Sequence, residues 1–121
     1  MKHPITLAIL IALSFKATAA EPQLPIRSGQ YSFQHKFAEH PNMESFQLTA
    51  KISGRHIVLI NDGQSNIFPK GVIAEGILTW HSKSKQWIIS DNKSDRYAKD
   101  VGGCSNGPEV VDLKKRVYWT C

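Results

Sequence analysis

The chain is expected to be all-β: a small antiparallel meander of about eight strands, forming a barrel or a sandwich and carrying one disulfide. Three observations lead there. Apolar and polar residues alternate with a period of two, short apolar runs are separated by turn-forming residues, and no apolar period of 3.6 persists over the length of an ordinary helix. The 121 residues, with 41% apolar and 21% charged side chains, leave room for one small domain and describe neither a disordered chain nor a multidomain enzyme.

In chain order, residues 1–19 read as a signal peptide. Lys2 and His3 precede an apolar run from Ile5 to Phe15, and Ala17-Thr18-Ala19 offers an A-x-A cleavage site. The run is far short of the about 20 residues that span a bilayer as a helix, so no membrane insertion is expected after cleavage. Residues 20–121 are then a single domain, periplasmic or secreted. Loss of Lys2 and Lys16 lowers the formal charge by two from +5. The remaining cations are interspersed with acids, as in Asp91, Lys93, Asp95, Arg96, Lys99 and Asp100, and only Lys114-Lys115-Arg116 is a clean cluster. A mixed surface of this kind lacks the basic stripe of a nucleic-acid binder, and none is expected as partner.

The first strand spans residues 30–37, with Tyr31, Phe33, His35 and Phe37 on one face. The second, 45–52, sets Phe46, Leu48, Ala50 and Ile52 against polar neighbours. Ser53-Gly54 turns the chain into the β-branched run 56–60, which makes a hairpin. Asn61-Asp62-Gly63 opens a loop, after which Gly71 and Gly76 bracket a short strand, 72–75. Residues 77–81 and 87–90 form another hairpin, and 109–113 and 116–121 a last strand pair. Residues 91–108 are polar and Gly-rich, with Tyr97 and Val101 as anchors, and read as a functional or disulfide-stapled loop. Trp80, Trp87, Trp119, Phe33, Phe46 and Tyr31 are bulky enough to fill the interior of a small barrel.

Cys104 and Cys121 are the only thiols, and export makes their pairing the expectation. Closing the intervening loop restricts the unfolded chain by roughly 3 kcal/mol. The histidines of the mature chain, His35, His40, His56 and His81, form no H-x-H or H-x-x-x-H pair, so no metal and no cofactor is implied. Gly103-Cys104-Ser105-Asn106-Gly107 fits the G-x-S-x-G pattern of hydrolase nucleophile elbows. Charged residues precede it where that motif needs an apolar strand, Pro108 follows where it needs a helix, and no histidine lies beyond His81. The pentapeptide therefore reads as a pair of turns, and the chain as a non-enzyme. Asn92-Lys93-Ser94 fits the N-glycosylation pattern.

Two polar loops remain as candidate partner-binding surfaces. One carries Glu39, His40, Asn42 and Glu44, and the other Asp91, Asp95 and Arg96. Export, a stapled compact scaffold, no catalytic constellation and two polar loops lead to an expectation of an inhibitor or immunity protein. It would block a protein partner, a cell-envelope (cell-wall) hydrolase, by offering acceptors to that enzyme's catalytic groups. The alternative is a carrier. The strand meander resembles that of lipocalins, and Gly29-Gln30-Tyr31 is similar to the G-x-W near the start of their first strand, with Tyr in place of Trp. That resemblance implies enclosure of a small apolar ligand.

Overall fold

The computed structural model describes residues 21–121. The expected signal peptide and its cleavage site lie outside the described residues. Seven strands follow one another: β1 (Gly29–Phe37), β2 (Phe46–Ser53), β3 (His56–Asn61), β4 (Gly71–His81), β5 (Gln86–Ser90), β6 (Glu109–Asp112) and β7 (Val117–Thr120). Each pairs antiparallel with the next, and β1 pairs with β7, closing the hydrogen-bonded ring. The closing ladder, Gln34 with Val117 to Phe37 with Thr120, is parallel. An up-and-down meander with an odd number of strands leaves its first and last strands pointing the same way, so closure takes that form.

The count is seven rather than about eight because the two runs expected on either side of Gly76 are one strand. Gly76 is not a break. A Cβ at that position would lie 2.5 Å from the Ser90 carbonyl oxygen, so glycine is there to let β4 and the end of β5 approach closely. A register shift between Leu59 and Ile60 in the β3–β4 ladder brings both Ile73 and Ala74 against the core.

The period-two reading places the interior well. Phe33 sits opposite Leu48, Ala50 opposite Leu59, Leu78 opposite Ile89 and Val111 opposite Tyr118, all packed into one apolar cluster. Phe33, Ile57, Leu59 and Leu78 are fully buried. Truncating any of them costs about 2–5 kcal/mol in a core of this kind. One mouth of the ring is stopped by residues 24–28. Leu24 and Ile26 pack against the core, Tyr31 Oη donates to the Arg27 carbonyl at 2.7 Å, and the Gly54 amide donates to Ser28 Oγ at 2.8 Å.

A second buried layer lies outside the ring. Thr79, His81, Ile88, Ser90 and Val110 occupy the outer face of β4, β5 and β6 and are nevertheless buried. Residues 91–108 cover them. Gly102 is placed so closely over Val110 that a Cβ would meet its side chain at 2.7 Å. Thr79 Oγ1 and Ser90 Oγ pair at 2.8 Å beneath the cover. The loop contains a 3-10 helix, Lys93–Tyr97, and the expected disulfide joins Cys104 to Cys121 with their Cα atoms 4.5 Å apart. Of the two expected anchors, Val101 is half-buried. Tyr97 is not an anchor at all, being 81% exposed, because the 3-10 turn aims it away from the sheet while the backbone at Ala98 makes the contact. Among the described residues, no helix is long and apolar enough to cross a membrane.

Candidate functional site

The two loops nominated by sequence occupy different parts of the surface. Residues 38–45 connect β1 to β2 and leave the ring at the end where β3 also passes into β4. Glu39, His40, Asn42, Met43 and Glu44 are all exposed. The loop is nonetheless ordered by its own backbone. The His40 amide donates to the Phe37 carbonyl at 3.2 Å, and the Met43 amide to the His40 carbonyl at 3.0 Å. Its root is tied to the closing strand, where the Ala38 amide donates to the Thr120 carbonyl at 2.8 Å. Met43 and, on the neighbouring connection, Ile67 expose about half of their surface, 51% and 55%.

Asp91, Asp95 and Arg96 lie on the connection between β5 and β6, which covers the outer face of β4 and β5. Asp95 is occupied by the fold: its carboxylate accepts from the amides of Asp91 and Asn92 at 3.0 and 3.4 Å, completing a capping box with Asn92. Arg96 lies 3.9 Å from Glu21, which also meets Arg55 at 3.7 Å. Asn92 of the glycosylation pattern spends its side chain on the same cap, accepting from the Ser94 amide and hydroxyl and donating to Asp91.

Beneath the 38–45 loop the ring is closed by an aromatic cluster around His35. The imidazole is fully buried, 4.6 Å from the Phe37 ring, 4.7 Å from Phe46 and 5.0 Å from Phe68. Nε2 pairs with Thr120 Oγ1 at 2.7 Å, while Nδ1 is buried without a partner. Burial holds the His35 pKa well below its ordinary 6.5, at about 4, so the group is neutral at pH 7. Phe68 reaches this cluster because Asn61, itself fully buried, organises the next connection. Its Nδ2 donates to the carbonyls of Ser65 and Phe68 at 3.0 Å each, and its Oδ1 accepts from the Gly63 amide. On the far side, burial pushes the Tyr118 phenol up, and so do its hydrogen bond to Glu109 and the charge of that carboxylate.

His81 and Ser105 border one cavity, and the geometry uncouples them. His81 Nε2 donates to the Ala98 carbonyl at 2.7 Å, which makes Nδ1 the acceptor, and Ser84 fills it through both its hydroxyl and its amide. The Ser105 hydroxyl donates to the Gly102 carbonyl at 2.7 Å. Gly107 adds its own constraint: a Cβ there would lie 1.8 Å from the Asp100 carbonyl oxygen. The G-x-S-x-G pentapeptide is thus a packed turn, with its glycine required by a close backbone approach.

The feature that sequence reasoning missed is a crevice of about 340 Å³ bordered by all three tryptophans, Trp80, Trp87 and Trp119. All three are expected in the interior: Trp87 is buried in the core and Trp80, half-buried, packs against it, while Trp119 is half-buried outside the core cluster. Trp80 and Trp87 are cross-strand partners on β4 and β5 with ring centroids 5.3 Å apart. Trp119, on the outward face of β7, is approached by Lys36 Nζ at 5.9 Å from its ring centroid. Lys85, Gln86, Asp112 and Lys114 supply the polar rim. The signal was available in the hairpin register, which pairs the first two indoles and sets Lys85 beside them. No family model, curated protein or solved structure was found to match this chain.

Proposed function

We propose that the chain is an exported binding protein, periplasmic or secreted, which blocks a cell-envelope hydrolase by inserting residues 39–44 into the cleft of that enzyme. One observation carries this reading. The 38–45 connection is exposed from Glu39 to Glu44, yet it is braced by one internal backbone hydrogen bond and one to Phe37 at the end of β1, and tied at its root to β7. A loop already held in one conformation loses little entropy on docking, which is the property an inhibitory loop needs. Its tip offers the carboxylates of Glu39 and Glu44, the His40 imidazole and the Asn42 amide, and acceptors of this kind complement the donors of a hydrolytic site. The disulfide supports an oxidising compartment. The packed interior around Phe33, Leu59 and Leu78 favours recognition by the outer surface over enclosure of an apolar ligand, as in a lipocalin-like carrier.

The test is capture followed by inhibition. The immobilised protein should retain a cell-wall hydrolase from an envelope extract, and the soluble protein should abolish that enzyme's activity at equimolar ratio. Replacing Glu39, His40, Asn42 and Glu44 together by Ala should weaken the complex by about 2 kcal/mol or more, since contacts at the centre of an interface dominate its affinity. If the quadruple variant inhibits as well as the native chain, or the purified protein carries a small apolar ligand in place of a protein, this assignment is wrong.

A further inference from the structure

No residue of the 38–45 loop borders the tryptophan-lined crevice, which has no role in the function proposed above. Its border joins two chemistries that few ligands match together. Half-buried Trp80 and Trp119 offer polarisable apolar surface beside the buried Trp87, whose ring is inclined 65° to that of Trp80, while Gln23, Lys85, Gln86, Asp112 and Lys114 provide hydrogen-bonding groups around it. A hydrocarbon would gain nothing from those polar groups. A wholly polar solute would leave the indoles unused. A pyranose ring satisfies both, with C–H groups on its faces and hydroxyls on its periphery.

The charges narrow the class. Asp112 Oδ1 accepts from the amides of Lys114 and Lys115 at 3.0 and 2.8 Å, which fixes the carboxylate in the β6–β7 turn, and its single negative charge is outnumbered by the two lysines of the border. Lys85 and Lys114 are exposed, and among the described residues no ion pair holds either amine. The geometry points to a binding site for an acidic saccharide, a sugar ring seated on the indoles with its carboxylate toward Lys85 and Lys114. The volume, about 340 Å³, lies in the range of small-ligand pockets.

Intrinsic tryptophan emission reads this site directly, because all three indoles border it. The purified protein is titrated with N-acetylglucosaminyl-N-acetylmuramic acid, with a disaccharide containing glucuronic acid, and with neutral di-N-acetylchitobiose, and each titration is repeated by calorimetry. At least one acidic disaccharide is expected to shift the emission and bind about tenfold more tightly than the neutral one. Binding of either acid supports the site, and the tighter of the two names its source. Trp119→Ala, which removes an outward indole and leaves the interior intact, should abolish binding without lowering the melting temperature. Lys114→Gln should reduce the acidic probe to the affinity of the neutral one. Equal binding of acidic and neutral sugars, silence toward both acids, or native affinity in Trp119→Ala overturns the proposal.

Discussion

His35 shows how one side chain can couple the end of the ring to pH. The alternation of β1 is enough to place it inward with Phe33, and the structure puts it there, bonded to Thr120. Its unpartnered Nδ1 and the Phe68 ring that covers it were not legible, because both depend on the buried Asn61 gathering carbonyls from the following loop. In the unfolded chain the imidazole titrates near 6.5, and in the native state near 4. Between those values the unfolded chain binds a proton that the native state refuses, so stability falls as pH drops through this window and is unaffected by this group above it. The full difference is about 3 kcal/mol once pH lies below both values. Urea unfolding of native protein and His35→Phe at a series of pH values measures it. The variant should lose this part of the acid dependence, and an identical pH slope in the two proteins would exclude His35 as its source.

At the scale of elements, legibility followed the range of the determining contact. Strands β1 and β2, and the hairpins β2–β3 and β4–β5, were readable because their signals are local: a strict period of two, or a turn between β-branched runs. The joining of residues 72–75 and 77–81 into β4 was not, because it rests on the proximity of Gly76 to Ser90 on another strand. Glycine as punctuation and glycine as clearance look the same in a sequence. The distinction has a measurable consequence. Gly76→Ala must displace Ser90 or bend β4, and overpacking of this kind costs about 1–3 kcal/mol. A turn glycine with open space, such as Gly54, has no neighbour for the added methyl to meet, although its positive φ of 59° carries its own smaller strain. Denaturant midpoints should therefore fall further for Gly76→Ala than for Gly54→Ala. Candidate sites follow the same rule. The acidic residues of the 38–45 loop stand out in the sequence and are exposed in the structure, whereas Asp95, equally conspicuous, turned out to be a capping residue.

For the molecule as a whole, the decisive joint is where the ring closes. Six of the seven ladders connect neighbours in sequence, but the β1–β7 ladder joins residues some eighty positions apart and pairs only four residues on each strand. It carries the largest loop-closure entropy of the fold and has a short parallel ladder to offset it. Cys104–Cys121 acts at this joint. It holds the chain end just past Thr120 to the loop that covers β4, β5 and β6, so that β7 cannot leave without dragging the cover away. Reduction should consequently open the molecule from this side first. In hydrogen exchange monitored residue by residue, the reduced protein should lose protection at the amides of Gln34 and Ala38, which donate to Arg116 and Thr120, while those in the β2–β3 ladder stay protected. The oxidised protein should show one uniform level of protection around the ring. If reduction instead lowers protection equally in β2, β3 and β7, the disulfide acts on the unfolded chain alone, and the ring opens as a single cooperative unit.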